Sequence, residues 1–191
     1  MKKDIILAGV GGQGILSIAA VIGQAAVKEK LYIKQAEVHG MSQRGGDVQS
    51  HLRLSSAPVA SDLIARGKAD MIISLEPMEA LRYLPYLAPD GWIVTNTTPL
   101  VNIPNYPDIE NILSELKALQ HVIMLDVDLV AKEAGSPRSS NIALLGACSS
   151  LLDIEADKLE AGIRDIFTRK GEVVVEANLA AFRAGREAAR H

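Results

Sequence analysis

With 191 residues, 48% of them hydrophobic and 23% charged, the chain is long enough for one sizeable core, and residues 1–191 read as a single domain. A formal net charge of -3 and an aromatic content of 4% exclude an overall pull toward nucleic acid or anionic membrane, and an aromatic-rich stacking platform. Cys148 is the single cysteine, which excludes an internal disulfide, a cysteine zinc site and an iron–sulfur cluster held by this chain alone.

The N-terminal MKKDIILAGVGGQG carries two lysines but no signal-cleavage pattern, and its apolar run breaks on glycine, so it reads as a first strand over Ile5–Val10. No stretch reaches the roughly 18 apolar residues of a membrane span, and a cytoplasmic protein is expected. Ile15 to Lys30 has helical spacing, with Ile15, Ile18, Ala19, Ile22 and Ala26 on one face and lysines where the helix dipole favours them. A second strand is predicted over Ile33–Val38. From Val48 to Ser55 apolar and polar residues alternate, which predicts a half-buried or edge strand antiparallel to its neighbour.

Asp70–Leu75 is a further buried strand, and EPMEALRYLPYL a helix with Pro77 at its first position and Pro85 near its limit. Trp92–Thr95 and Val122–Val127 are predicted strands, with a long loop from Asn96 to Pro107 and a helix over Asp108–Leu119. A short helix over Asp128–Glu133 stops near Gly135. Another starts after Pro137 with Ser139 or Ser140 as its cap, and buries Cys148 as a small hydrophobe. Ile154–Lys170 and Glu176–Arg190 are the last two helices, and Asn178 opens the second of them. Buried strands separated by helices predict a Rossmann-like α/β fold, a three-layer α/β/α sandwich with a mostly parallel but mixed sheet.

GVGGQG sets Gly9, Gly11 and Gly14 in a G-x-G-x-x-G pattern between a strand and a helix. Glycine permits the tight turn, lets backbone or ligand approach closely, and leaves N–H groups at the helix start able to hold an anion. Gly12 adds a bare backbone position, and Gln13 an amide that both donates and accepts. A dinucleotide site wants an acid about 20 positions on, and Glu37 lies 23 residues beyond Gly14. Three readings stay open for this turn: a nicotinamide or flavin dinucleotide, a turn that serves packing alone, and another anionic ligand or a partner contact.

The stretch EVHGMSQRGGDVQSHLRL, Glu37 to Leu54, places Glu37, His39, Ser42, Gln43, Arg44 and Asp47 within eleven residues. Arg44 offers a rigid fork of donors suited to carboxylate or phosphate. Gly45 and Gly46 let the backbone turn sharply beside it, and His39 before Gly40 titrates near neutrality. As a loop following the second strand, this segment is expected on the same sheet edge as Gly9–Gly14, where ligands bind in open α/β sheets. A surface loop with Arg44 paired to Glu37 or Asp47 is the plain alternative. Asn141 and Asn178 are candidates for the same edge, with helix capping an equal alternative for each. His39 and His51 flank different elements, so no metal site is expected, and His121 reads as structural.

GVGGQG followed by EVHGMSQRGGDVQSHLR resembles the gamma subunit or gamma domain of 2-oxoacid:ferredoxin oxidoreductases, and within them the indolepyruvate branch. SSNIALLGA from Ser139 and EANLAAFRAG from Glu176 are similar to later pieces of that family, so the resemblance spans nearly the whole chain. It implies a subunit of a heteromeric, cytoplasmic complex whose larger partner carries thiamine diphosphate and iron–sulfur clusters. Such a complex decarboxylates a 2-oxoacid, transfers the acyl group to coenzyme A and passes electrons to ferredoxin. Gly9, Gly11, Gly12, Gln13 and Gly14 match the family's first loop. His39, Gly40, Ser42, Gln43, Arg44, Gly45 and Gly46 match its second. No cofactor is expected on this chain alone. The rival readings are an independent NAD-binding Rossmann-type oxidoreductase and a non-catalytic structural module.

Overall fold

The computed structural model describes residues 1–39 and 45–190. The strands are β1 (Lys2–Val10), β2 (Tyr32–His39), β3 (Asp47–Ser55), β4 (Ala69–Ser74), β5 (Leu87–Asn96) and β6 (Val122–Leu125). The helices are α1 (Ile15–Lys28), α2 (Pro77–Arg82), α3 (Ile109–Lys117), α4 (Val127–Glu133), α5 (Ser140–Cys148), α6 (Ala156–Phe167) and α7 (Glu172–Ala188). One sheet has the order β2-β3-β1-β4-β5-β6. β1, β4, β5 and β6 pair in parallel, while β3 runs antiparallel to both β1 and β2. Five strands therefore point one way, as the predicted mixed sheet requires.

The unbroken apolar run of β1 is what a strand covered on both faces needs. Ile5 and Leu7 join the core under α1, α4 and α5, and Ile6 and Ala8 join the core under α2 and α3. Outside this sandwich, α6 packs on α1 and α7 on α4 and α5. α5 is buried from Ile142 through Cys148. It meets α7 through glycine: a Cβ on Gly146 would lie 2.0 Å from Phe182 O, and one on Gly185 1.9 Å from Ala143 O. Cys148 is the buried small residue foreseen. Its Sγ donates to Leu145 O at 3.3 Å, and burial pushes its pKa up to about 12.

Three elements depart most from the sequence reading, and the first is β5, which begins at Leu87, five residues before the predicted Trp92, where a longer helix was expected. β3 alternates as predicted, yet β2 takes the sheet edge and β3 lies inside it. Its polar face is covered rather than solvated. Arg53 forks onto Asp4 (Nε to Oδ1 2.8 Å) and donates to Ser61 O and Leu63 O, while His51 Nδ1 accepts from Ile64 N at 2.9 Å. Alternation records polarity, and a polar face satisfied by protein groups looks the same as one facing water. The last helix starts at Glu172, four residues earlier than predicted, because buried Val175 anchors a first turn whose β-branched residues disfavour helix locally. Asn178 is consequently internal to α7, with Nδ2 donating to Val174 O at 2.8 Å.

Candidate functional site

Five strands end on one edge of the sheet and β3 begins there, so every connection that leaves this edge can contribute to one site. β1 delivers the glycine turn. The β1–β3 pairing continues past Val10↔Asp47: Gly11 N donates to Gly46 O at 2.8 Å, and Gly45 N donates to Gly11 O at 3.3 Å. The two glycine-bearing loops are thus bonded directly, beyond the shared edge that was expected. Asn102 Nδ2, from the loop after β5, donates to Gly45 O at 2.6 Å and adds a third segment.

Within the first loop the side-chain polarity turns inward. Gln13 Oε1 accepts from Val10 N at 2.8 Å, and its Nε2 donates to Leu75 O at 3.1 Å. Gly9 makes room for that amide, since a Cβ there would sit 3.0 Å from Gln13 Oε1. Gly14, at φ 81°, caps α1 and receives Asn141 Nδ2 on its carbonyl at 3.0 Å. Asn141 therefore does belong to this edge. What the turn shows outward is backbone at Gly12, where nothing lies within 4 Å of a would-be Cβ. Gly40, Ser42, Gln43 and Arg44 lie outside the described residues. Of His39, only its place as the last residue of β2 is described.

The same arrangement weakens the dinucleotide reading. β3 separates β1 from β2, which places Glu37 one strand spacing, about 4.8 Å, farther from the glycine turn than a neighbouring second strand would. Glu37 Oε1 accepts from Gln35 Nε2 at 2.7 Å on β2 itself.

A cleft of about 320 Å³ opens beside the turn, lined by Gln13, Asn96, Asp128, Arg138 and Asn141 among others. Buried Asn96 ties its walls together. Nδ2 donates to Asp128 Oδ2 at 3.1 Å and to Thr98 O at 3.3 Å, and Oδ1 accepts from Val127 N at 3.1 Å. The sequence reading left Asn96 at the start of a loop.

A second group went unforeseen. Glu76 and Glu79, at 0% and 2% exposure, sit at the start of α2. Glu76 Oε2 caps that helix by accepting from Glu79 N at 3.0 Å, and Tyr106 OH donates to its other oxygen. Glu79 Oε2 pairs with Arg82 Nε at 2.7 Å. Tyr83 OH donates at 2.7 Å to Oδ2 of Asp47, the first residue of β3. Burial, with Asp47 adding repulsion against the pull of Arg82, pushes the Glu79 carboxyl up to about 7. Burial and Asp47 also raise the Tyr83 phenol. The available signal was the spacing in EPMEALRY, which puts Glu76, Glu79 and Tyr83 on one helical face. His51, lowered by burial first, is a neutral imidazole, and His121 stacks on Trp92 with centroids 5.0 Å apart. Among the described residues no three His, Cys, Asp or Glu side chains are grouped to hold a metal ion, and no helix is long and apolar enough to cross a membrane.

Known proteins share this arrangement of sequence and fold. The family model described as pyruvate ferredoxin/flavodoxin oxidoreductase matches residues 4–188. The indolepyruvate oxidoreductase subunit IorB of Archaeoglobus fulgidus is 34% identical over 194 residues, covering 97% of this chain and 94% of that one. The IorB subunit of Pyrococcus horikoshii is 36% identical over 201 residues, covering 100% and 98%. Among solved structures, the 2-oxoglutarate:ferredoxin oxidoreductase of Magnetococcus marinus, with 2-oxoglutarate, coenzyme A and succinyl-CoA bound, superposes with a TM-score of 0.77 at 26% identity. The match takes in 99% of this chain and about a third (31%) of that longer one.

Proposed function

This chain belongs to the pyruvate ferredoxin/flavodoxin oxidoreductase family, and from that premise we propose that it is the gamma-type subunit, a single domain over residues 1–191, of an indolepyruvate:ferredoxin oxidoreductase. The complex would convert an arylpyruvate, coenzyme A and two oxidised ferredoxins to an arylacetyl-CoA, carbon dioxide, one proton and two reduced ferredoxins. The preference for indolepyruvate rests on full-length likeness to IorB subunits.

This chain's donors do not fit an iron–sulfur cluster. Its one thiol is buried in α5 with a raised pKa, where a cluster needs several accessible thiolates. Thiamine diphosphate and the clusters are assigned to a larger partner chain, and ferredoxin is reached through it. The contribution of this subunit is the glycine edge. Gln13 and Asn141 hold the turn from inside and Gly11 is bonded to Gly45 and Gly46, so Gly12 is left to present backbone that another chain or a bound group can approach closely. That inward bracing is the observation that carries the proposal. Arg44, beside Gly45 and Gly46, supplies a donor fork for an acidic group, a coenzyme A phosphate or a partner carboxylate.

Purification of the native protein tests the assembly. A co-purifying larger chain containing iron and thiamine diphosphate is expected, and its repeated absence under mild conditions refutes the reading. In the assembled enzyme, Arg44→Ala is expected to lower kcat/KM for coenzyme A or weaken assembly by about tenfold. Unchanged kinetics together with unchanged assembly would remove Arg44 from the site.

A further inference from the structure

A second cleft, of about 530 Å³, adjoins the first, sharing Pro137, Arg138 and Asn141 with it, and extends between the turn joining α4 to α5 and the start of α7. Its size suits a small organic ligand. One wall is apolar, formed by Phe167, Val174 and Ala177, and Val173 is 85% exposed beside them. Ser136 and Ser139 line the cleft at 5% and 4% exposure, with Ser136 Oγ donating to Ser139 Oγ at 2.7 Å. Ser139 makes no side-chain cap on α5, and among the described residues its hydroxyl donates to no further group.

Two cations complete the lining. Arg138 has no ion pair or hydrogen bond among the described residues, and Lys170 has only the Phe167 ring, 5.3 Å from Nζ to centroid. Among the described residues no Asp or Glu lines the cleft. Elsewhere Arg53, Arg82, Arg164 and Arg183 each hold an acid. The starts of α5 and α7 both border the cleft and neither N-cap residue supplies a side-chain cap; Asn141 Oδ1 takes Ile142 N at 3.0 Å, and the helix ends still add positive potential.

We propose that this cleft binds an organic phosphate monoester bearing a short apolar group. Arg138, Lys170 and the Ser139 hydroxyl take the phosphate, and the Phe167–Val174–Ala177 wall takes the apolar body. Two cations match a dianion, and a monoester carries nearly two charges at neutral pH, with a second pKa near 6. A carboxylate leaves one cation unmatched.

Calorimetric titration of the full chain with phenyl phosphate tests this site. One saturable event is expected, at least about tenfold tighter than with inorganic phosphate, phenylacetate or benzyl alcohol. Arg138→Gln and Lys170→Gln lie on the surface, and each is expected to weaken phenyl phosphate about tenfold with the circular dichroism spectrum unchanged. Absence of saturation at millimolar ligand overturns the proposal, as does equal affinity in the double variant. Inorganic phosphate binding as tightly as phenyl phosphate would sink the apolar subsite. Loss of a partner chain in the double variant, with no phenyl phosphate binding in the unaltered protein, makes the cleft a polypeptide interface and also overturns it.

Discussion

Glu79 is a carboxyl placed where water is excluded, and it is held by one exposed cation. Its pKa, raised from 4.5 to about 7, is above the value it takes when the chain unfolds. The folded protein therefore binds more protons than the unfolded chain between these values, and its stability falls as pH rises from about 4.5 through 7. Glu79→Gln is expected to flatten this part of the curve, measured as unfolding free energy in urea against pH. A wild-type curve that rises over the same interval would contradict the assignment. Asp4 works in another window. Burial pushes its carboxyl up, but Arg53 and Lys2 outweigh that and lower it, so the stability it adds is present above 3.8 and is lost as pH falls below it. Neither residue stands out in the sequence. A buried acid and an exposed one have the same letter, and what distinguishes Glu79 is its burial, with Asp47 brought in beside it from β3.

At the scale of elements, the helices of the outer layer depend on absent side chains. Gly146 and Gly185 bring α5 and α7 close enough that a methyl group on either would enter a carbonyl oxygen of the other helix. Gly146→Ala or Gly185→Ala is expected to cost about 3 kcal/mol or more in denaturant unfolding. Gly23 in α1 has nothing within 4 Å of its would-be Cβ, and Gly23→Ala should stabilise by about 0.5–1 kcal/mol through helix propensity. Equal effects at Gly146 and Gly23 would show that the helices do not cross as described. The glycine turn was legible because G-x-G-x-x-G between strand and helix is a local pattern with a local cause. The glycines of α5 and α7 were not, because nothing near either one names the other.

Across the whole molecule, the candidate site is assembled from the ends of strands far apart in sequence. Asn102 is one of these links, reaching Gly45 O from the loop after β5. Asn102→Ala is expected to leave global stability within about 0.5 kcal/mol, while amide exchange accelerates around Gly45 and Gly46 and capture of the larger partner chain weakens. Unaltered exchange in that segment would make the contact incidental to the loop. The mixed sheet and the placing of both loops on its glycine edge were foreseen, with Asn141 as a candidate member, while the direct bonding of the two loops was not. Asn96, Glu76, Glu79 and Tyr106 were not, because their roles arise from strand order.

The sequence by itself determined the parts whose physics is short-ranged. Continuous apolar runs demanded strands covered on both faces, glycines permitted the turn after β1, and a single cysteine ruled out a cluster on this chain. Its paired loop motifs also pointed to the family. The tertiary structure decided how the strands are ordered, and with that which polar groups meet. By inserting β3 between β2 and β1, it moved Glu37 away from the glycine turn and joined Gly11 to Gly45 and Gly46 instead. Hydrophobic period and backbone φ act within a few residues and can be read along the chain. Strand pairing compares surfaces distant in sequence, and only the folded chain makes that comparison.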